Sequence, residues 1–226
     1  MSHYHCEHET AHISLDDGKV NALGSAWIAA INDYLDQAVV DQVSAVIISG
    51  RNGVFCAGFD LKELQSEPSA PDKLRRQLID LVLRIFTFES PIVMACTGHA
   101  LAAGAALLLA GDRRIGVDGP FKLGFNEARL GVSISAATVE LARYRMPMPW
   151  FESLISGDTF SPQDARTAGF LDHIVDDDAE LTREALAAAE ALAQVPRRTF
   201  LEMRRLARGV TVDVIRQERN RLSAPP

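Results

Sequence analysis

The run PIVMAC at Pro91 to Cys96 constrains this chain more than any other segment, because six residues without polar alternation fit a strand covered on both faces. A strand buried twice over requires packed layers on each side of its sheet. Further strands are expected at His12 to Leu15, Ser44 to Ser49 (SAVIIS), Arg113 to Val117 and Asp172 to Val175. Apolar residues recur at helical spacing over Ser25 to Val39, Arg76 to Glu89 (RQLIDLVLRIFTFE), Ala102 to Ala110 and Ala136 to Tyr144. The tail reads as three helices, Ala179 to Gln194, Arg197 to Arg208 and Val214 to Leu222. Alternating strands and helices predict an α/β fold with a mostly parallel sheet and helices outside it. The expectation is one domain over residues 1–226, with a core at about 10–176 and a helical part at about 177–226. Ser66 to Asp72 (SEPSAPD) is the expected mobile loop.

Composition removes several classes of function. No run approaches the ~20 apolar residues of a membrane span, and MSHYHCEHE lacks the basic-then-apolar order of a signal peptide. A soluble cytoplasmic protein with no membrane partner is expected. Cys6, Cys56 and Cys96 are odd in number and widely spaced, which predicts reduced thiols. His3, His5, His8 and Cys6 are metal-ligand types, but nothing there would pre-organise a tetrahedral site, so a frayed, solvated N-terminus without metal is expected. The net charge of −7 has the wrong sign for a general nucleic-acid binder. Its one counter-signal is RRTFLEMRRLAR, Arg197 to Arg208, with arginines at helical spacing; a solvated or inter-subunit helix face is the simpler reading.

Two segments carry candidate chemistry. In GRNGVFCAGFDLKE, Gly50 to Glu63, a strand ends in small residues, and an exposed N–H after a glycine turn can face an oxyanion; an ordinary βα turn has the same look. In TGHALAAGAAL, Thr97 to Leu107, a strand enters a helix of small residues whose first N–H groups lack partners; close helix packing also selects Gly and Ala.

Taken together, FCAGFDLKE followed by GHALAAGAALLLAGDRRI resembles the two signature regions of the enoyl-CoA hydratase/isomerase, or crotonase, family. VNAL (Val20 to Leu23) and SPQDARTAGFLDHIV (Ser161 to Val175) are similar to that family too, so the resemblance spans nearly the whole chain. It implies a ββα superhelix with a helical C-terminal region, here shorter than usual, and a homotrimer or hexamer. It places oxyanion N–H groups on Phe59 and Ala103, and it lays coenzyme A along Cys56, Ala57, Gly58, Asp60, Leu61 and Lys62. Lys62 and Arg51 are candidate phosphate partners, or else solvated cations. No cofactor is implied beyond the coenzyme A thioester that serves as substrate.

The resemblance also bears on the reaction. Family hydratases use two glutamates, and the first of those positions is Ala106, which can neither hold nor deprotonate water. The second falls on Glu127 in FKLGFNEARLG (Phe121 to Gly131). A single carboxylate beside an oxyanion hole suits the shift of a 3-enoyl-CoA to a 2-enoyl-CoA. Asp60 reads as a turn cap, Glu140 as a solvent-facing or ion-paired helix residue, and His99 as a packing histidine. The dehalogenase and dienoyl isomerase branches need an aspartate within Val132 to Ala137, where this chain has none. The rival readings are a weak hydratase and a non-catalytic acyl-CoA-binding protein.

Overall fold

The computed structural model describes residues 3–223. The chain runs β1 (His3–Glu7), β2 (Thr10–Ser14), α1 (Ser25–Val40), β3 (Ala45–Ser49), β4 (Gly53–Cys56), α2 (Leu61–Leu64) and α3 (Ala70–Phe86). Then come β5 (Ile92–Cys96), β6 (Gly98–Leu101), α4 (Ala103–Ala110), β7 (Arg113–Val117), β8 (Leu123–Gly124) and α5 (Ala136–Arg145). The remainder is α6 (Met148–Phe151), α7 (Ser153–Ser156), β9 (Thr159–Phe160), α8 (Pro162–Thr167), β10 (His173–Val175), α9 (Asp178–Ala193) and α10 (Arg197–Ser223).

β1-β2-β3-β5-β7-β10 form one sheet, parallel except for the β1–β2 pair. β5 is buried at every residue because both faces are covered. Val93 and Ala95 join Leu181, Ala185 and Ala189 of α9, while Ile92, Met94 and Cys96 enter the larger core on the other side. A second sheet, β4-β6-β8-β9, was not legible from the sequence. The chain crosses to it three times, from β3 to β4, from β5 to β6 and from β7 to β8, which gives the repeated ββα unit that the resemblance implies. Two crossings leave no room for side chains: a Cβ at Gly50 would stand 2.3 Å from the Val54 carbonyl oxygen, and one at Gly98 2.1 Å from the Gly53 carbonyl.

α4 is buried along its whole length. Its start rests on the end of β4 so closely that a Cβ at Gly104 would lie 2.2 Å from the Cys56 carbonyl oxygen. Gly104→Ala should therefore cost roughly 1–3 kcal/mol, toward the upper end because a strand carbonyl cannot swing aside. Denaturant unfolding checks this, and an unchanged midpoint would mean that α4 can slide.

Several expectations need correction. From His3 onward the chain is not frayed, because β1 pairs antiparallel with β2, His5 stacks on His12 at 4.6 Å and the Tyr4 hydroxyl donates to Asp41 at 2.6 Å. Residues 70–72, expected in the mobile loop, open α3 instead. The expected pair of C-terminal helices is a single helix, α10. Its β-branched stretch and Gly209 favour a break locally, but Arg204, Arg208, Thr211, Val212 and Ile215 make one continuous buried stripe, and packing wins. The basic-patch reading falls with it, since Arg204 and Arg208 point inward. Among the described residues no helix is long and apolar enough to cross a membrane.

Candidate active site

The site begins with a loop that holds itself together. The Asp17 carboxylate accepts N–H bonds from Lys19, Asn21 and Ala22, and buried Asn21 donates through Nδ2 to the Leu15 carbonyl at 2.8 Å and that of Phe55 at 3.1 Å. This presses VNAL against β4. The Leu23 N–H then donates to the Gly58 carbonyl at 2.7 Å, and the Asp60 N–H donates to the Leu23 carbonyl at 3.0 Å. Leu23 thus bonds to the residues on either side of Phe59, which turns the Phe59 N–H the other way. Gly58 makes the turn with φ +106°, a conformation side chains disfavour.

The second segment meets the first at this point. Ala103 is the first residue of α4, so its N–H has no acceptor within the helix. Ala102 before it holds φ 52°, ψ −122°, a strained conformation for a residue with a side chain, while its N–H is tied to the Gly124 carbonyl. A Cβ at Gly58 would stand 3.1 Å from the Ala102 methyl and 3.7 Å from the Ala103 nitrogen. The two turns are in contact, and among the described residues neither the Phe59 nor the Ala103 N–H has a backbone acceptor outside the regular elements.

Both open onto a cavity of ≈ 950 Å³ that Ala57, Leu61, Lys62, Ala106 and Glu127 also line. Four carboxylates reach it. Asp17 is occupied as described, and Asp60 caps α2 by accepting the Lys62 and Glu63 N–H groups at 2.8 and 3.3 Å. Glu63 accepts the Ser25 N–H at 2.8 Å and also its hydroxyl. Glu127 differs from these three, because its Oε2 is buried with no hydrogen-bond partner among the described residues. Burial raises its pKa above the ordinary glutamate range, and its own N–H offsets this only in part.

Lys19 and Lys62 line the cavity with no ion-pair partner among the described residues, while Arg75 is paired with Asp72 at 2.7 Å. Lys19 was missed in the sequence, although it directly precedes VNAL. Arg51 is absent from the cavity wall and braces the loop instead: it donates to the Lys19 carbonyl at 2.6 Å and pairs with Asp16 at 3.4 Å. Cys56 and Gly58 lie behind the wall. Cys56 is fully buried against α4, its thiol pKa pushed up to about 12 by burial, so its side chain can neither touch a ligand nor act as a nucleophile. His99 lies outside the cavity and accepts the Lys122 N–H at 3.0 Å. Glu140 accepts the Thr211 hydroxyl at 2.9 Å, linking α5 to α10.

Two unpaired N–H groups and a carboxylate of raised pKa on one cavity can hold an oxyanion beside a base. Residues 6–221 match the family model described as enoyl-CoA hydratase/isomerase. The chain is 38% identical to an enoyl-CoA hydratase/isomerase family protein of Pseudomonas syringae, whose structure superposes with TM-score 0.94 over 97% of this chain and 95% of that one. It is 33% identical to a Mycobacterium tuberculosis protein that is described in one structure as an enoyl-CoA isomerase, with TM-score 0.93 over 100% and 98% of the two chains, and in another as a probable enoyl-CoA hydratase. The mitochondrial enoyl-CoA hydratase domain-containing protein 2 of Bos taurus is 32% identical over 202 residues, 86% of this chain and 68% of that protein. The chain therefore belongs to the enoyl-CoA hydratase/isomerase, or crotonase, family of acyl-CoA enzymes.

Proposed function

We propose that this enzyme shifts the double bond of a 3-enoyl-CoA into conjugation, yielding the 2-enoyl-CoA. The thioester oxygen accepts hydrogen bonds from the Phe59 and Ala103 N–H groups. Glu127 removes a proton from C2, and the charge moves onto the held oxygen. Glu127 then returns the proton to C4 as the double bond moves from C3–C4 to C2–C3. One C–H bond breaks and one forms, so no cofactor is required. Lys19 and Lys62 face the coenzyme A phosphates, with Ala57 and Leu61 beside the pantetheine arm.

One observation carries this reading: Glu127 is the cavity carboxylate with a buried oxygen that has no hydrogen-bond partner among the described residues, and Ala106 supplies no second carboxylate. Activating a water molecule for addition is the task for which family hydratases employ a pair. The names of the relatives do not choose between the reactions: the M. tuberculosis protein is described both as an isomerase and as a probable hydratase, and the Bos taurus protein carries the hydratase name. A homotrimer or hexamer belongs to the proposal, supported by exposed Met203, Leu206 and Val210 along α10.

Ala106→Glu tests the choice of reaction. It should raise hydration of a 2-enoyl-CoA by roughly 10²-fold, the usual contribution of a placed general base. Fast hydration by the parent, unchanged in the variant, would reject the isomerase reading. The pH dependence provides a second check. The base form of Glu127 is lost as pH falls through its raised pKa, so kcat/KM should decline on the acid side at a pH above the ordinary glutamate value of 4.5. An acid limb at or below that value would mean that another group is the base.

A further inference from the structure

We propose that Trp27 sets the length of acyl chain that the cavity accepts; this rests on the acyl-CoA reading above and extends it to the substrate class. The cavity is unevenly charged. Lys19 and Lys62 are its cations without an ion-pair partner among the described residues, whereas Trp27 of α1, Leu64 of α2 and Leu78 of α3 present hydrocarbon. Leu78 is buried, and Trp27 and Leu64 are half-buried and pack against the main core, so this wall is backed by protein. The polar groups nearest in sequence are engaged elsewhere, Glu63 with Ser25 and Arg75 with Asp72. An anionic or peptide-like group would lose water there without compensation. An alkyl chain gains about fourfold in affinity for each methylene it buries.

With the carbonyl at Phe59 and Ala103, and C2 and C4 beside Glu127, the carbons beyond C4 have two ways out. One is the wall of Trp27, Leu64 and Leu78. The other is a smaller cavity of ≈ 360 Å³ that shares Glu127, Val132, Ser133 and Ile134 with the first and reaches Leu154 and Ile155. Ile155 is 77% exposed, so a chain on that side stays largely in water. The core-backed wall buries more, and its largest side chain is the indole. Beside Trp27 the wall is built from Gly24 and Ala26, so no other bulky group of α1 would replace the indole if it were removed.

The test measures dissociation constants of saturated, unreactive thioesters from butanoyl- to dodecanoyl-CoA, alongside turnover of 3-enoyl-CoAs of matching lengths. The parent protein, Trp27→Leu, Trp27→Ala and Leu154→Trp are compared, each variant against its own shortest ligand, so that a general loss of stability cancels. For the parent, affinity should rise with each methylene and then stop. For Trp27→Ala the break should move to longer chains and the longest-to-shortest ratio should grow about tenfold or more, with a smaller move for Trp27→Leu. Leu154→Trp should leave the series unchanged. A break that stays put in both Trp27 variants, or that shortens in Leu154→Trp, overturns the proposal. If the Trp27 series moves as expected but no chain length is turned over, the isomerase reading fails and Trp27 stands as the length filter of a binding protein.

Discussion

Replacing Glu127 with glutamine is expected to lower 3-enoyl-CoA conversion by about 10²- to 10⁴-fold while leaving thioester affinity within a few-fold. The substitution keeps the shape of the side chain and removes its ability to take a proton, and the other cavity carboxylates are bound to backbone N–H groups. Stability should move in the opposite direction. A glutamate whose pKa is raised by folding contributes stability below its unfolded value, and that contribution is lost as pH rises through the folded value. At neutral pH the buried anion is therefore a cost, and Glu127→Gln should melt higher than the parent. The gap should close as pH falls below 4.5. Melting curves and initial rates on the same preparations check both halves. A glutamine variant that is slower and also less stable at neutral pH would point to a structural role.

The second large effect lies far from the cavity. Asp112 accepts hydrogen bonds from the Ile92 N–H at 2.7 Å, Arg204 Nη2 at 2.5 Å and Arg208 Nη2 at 2.8 Å, and all three charged side chains are less than a tenth exposed. Arg208 also donates to the Phe86 carbonyl at 2.8 Å, so these arginines fasten α10 to the turn between α3 and β5. Asp112→Asn leaves two buried guanidinium groups without a counter-charge. Such losses cost roughly 3–5 kcal/mol. At about 2–4 °C per kcal/mol for a chain of this size, the melting temperature should fall by roughly 6–20 °C. A change under about 1 kcal/mol would mean that α10 is held by its apolar stripe alone.

Much of this molecule was legible from its residues, and the exceptions have physical causes. β5 was read correctly because a continuous apolar run of that length needs cover on both faces. The second sheet escaped because β4 and β6 have four residues each and β8 and β9 two, too short for any period to register. The arginines of α10 were misjudged since spacing places them on a helix but cannot say which face is inside. At the site, Phe59, Ala103, Ala57, Asp60, Leu61, Lys62 and Glu127 line one cavity. Cys56 does not, because Gly104 brings α4 directly against its backbone and seals the thiol beneath. Lys19 carried no signal beyond its position before VNAL.

Isomerase activity is read most directly from the ultraviolet absorbance of the conjugated thioester after mixing the parent protein with a 3-enoyl-CoA. The proposed chemistry predicts a rise that saturates with substrate and needs no added cofactor. A flat trace from protein that demonstrably binds the thioester would contradict it.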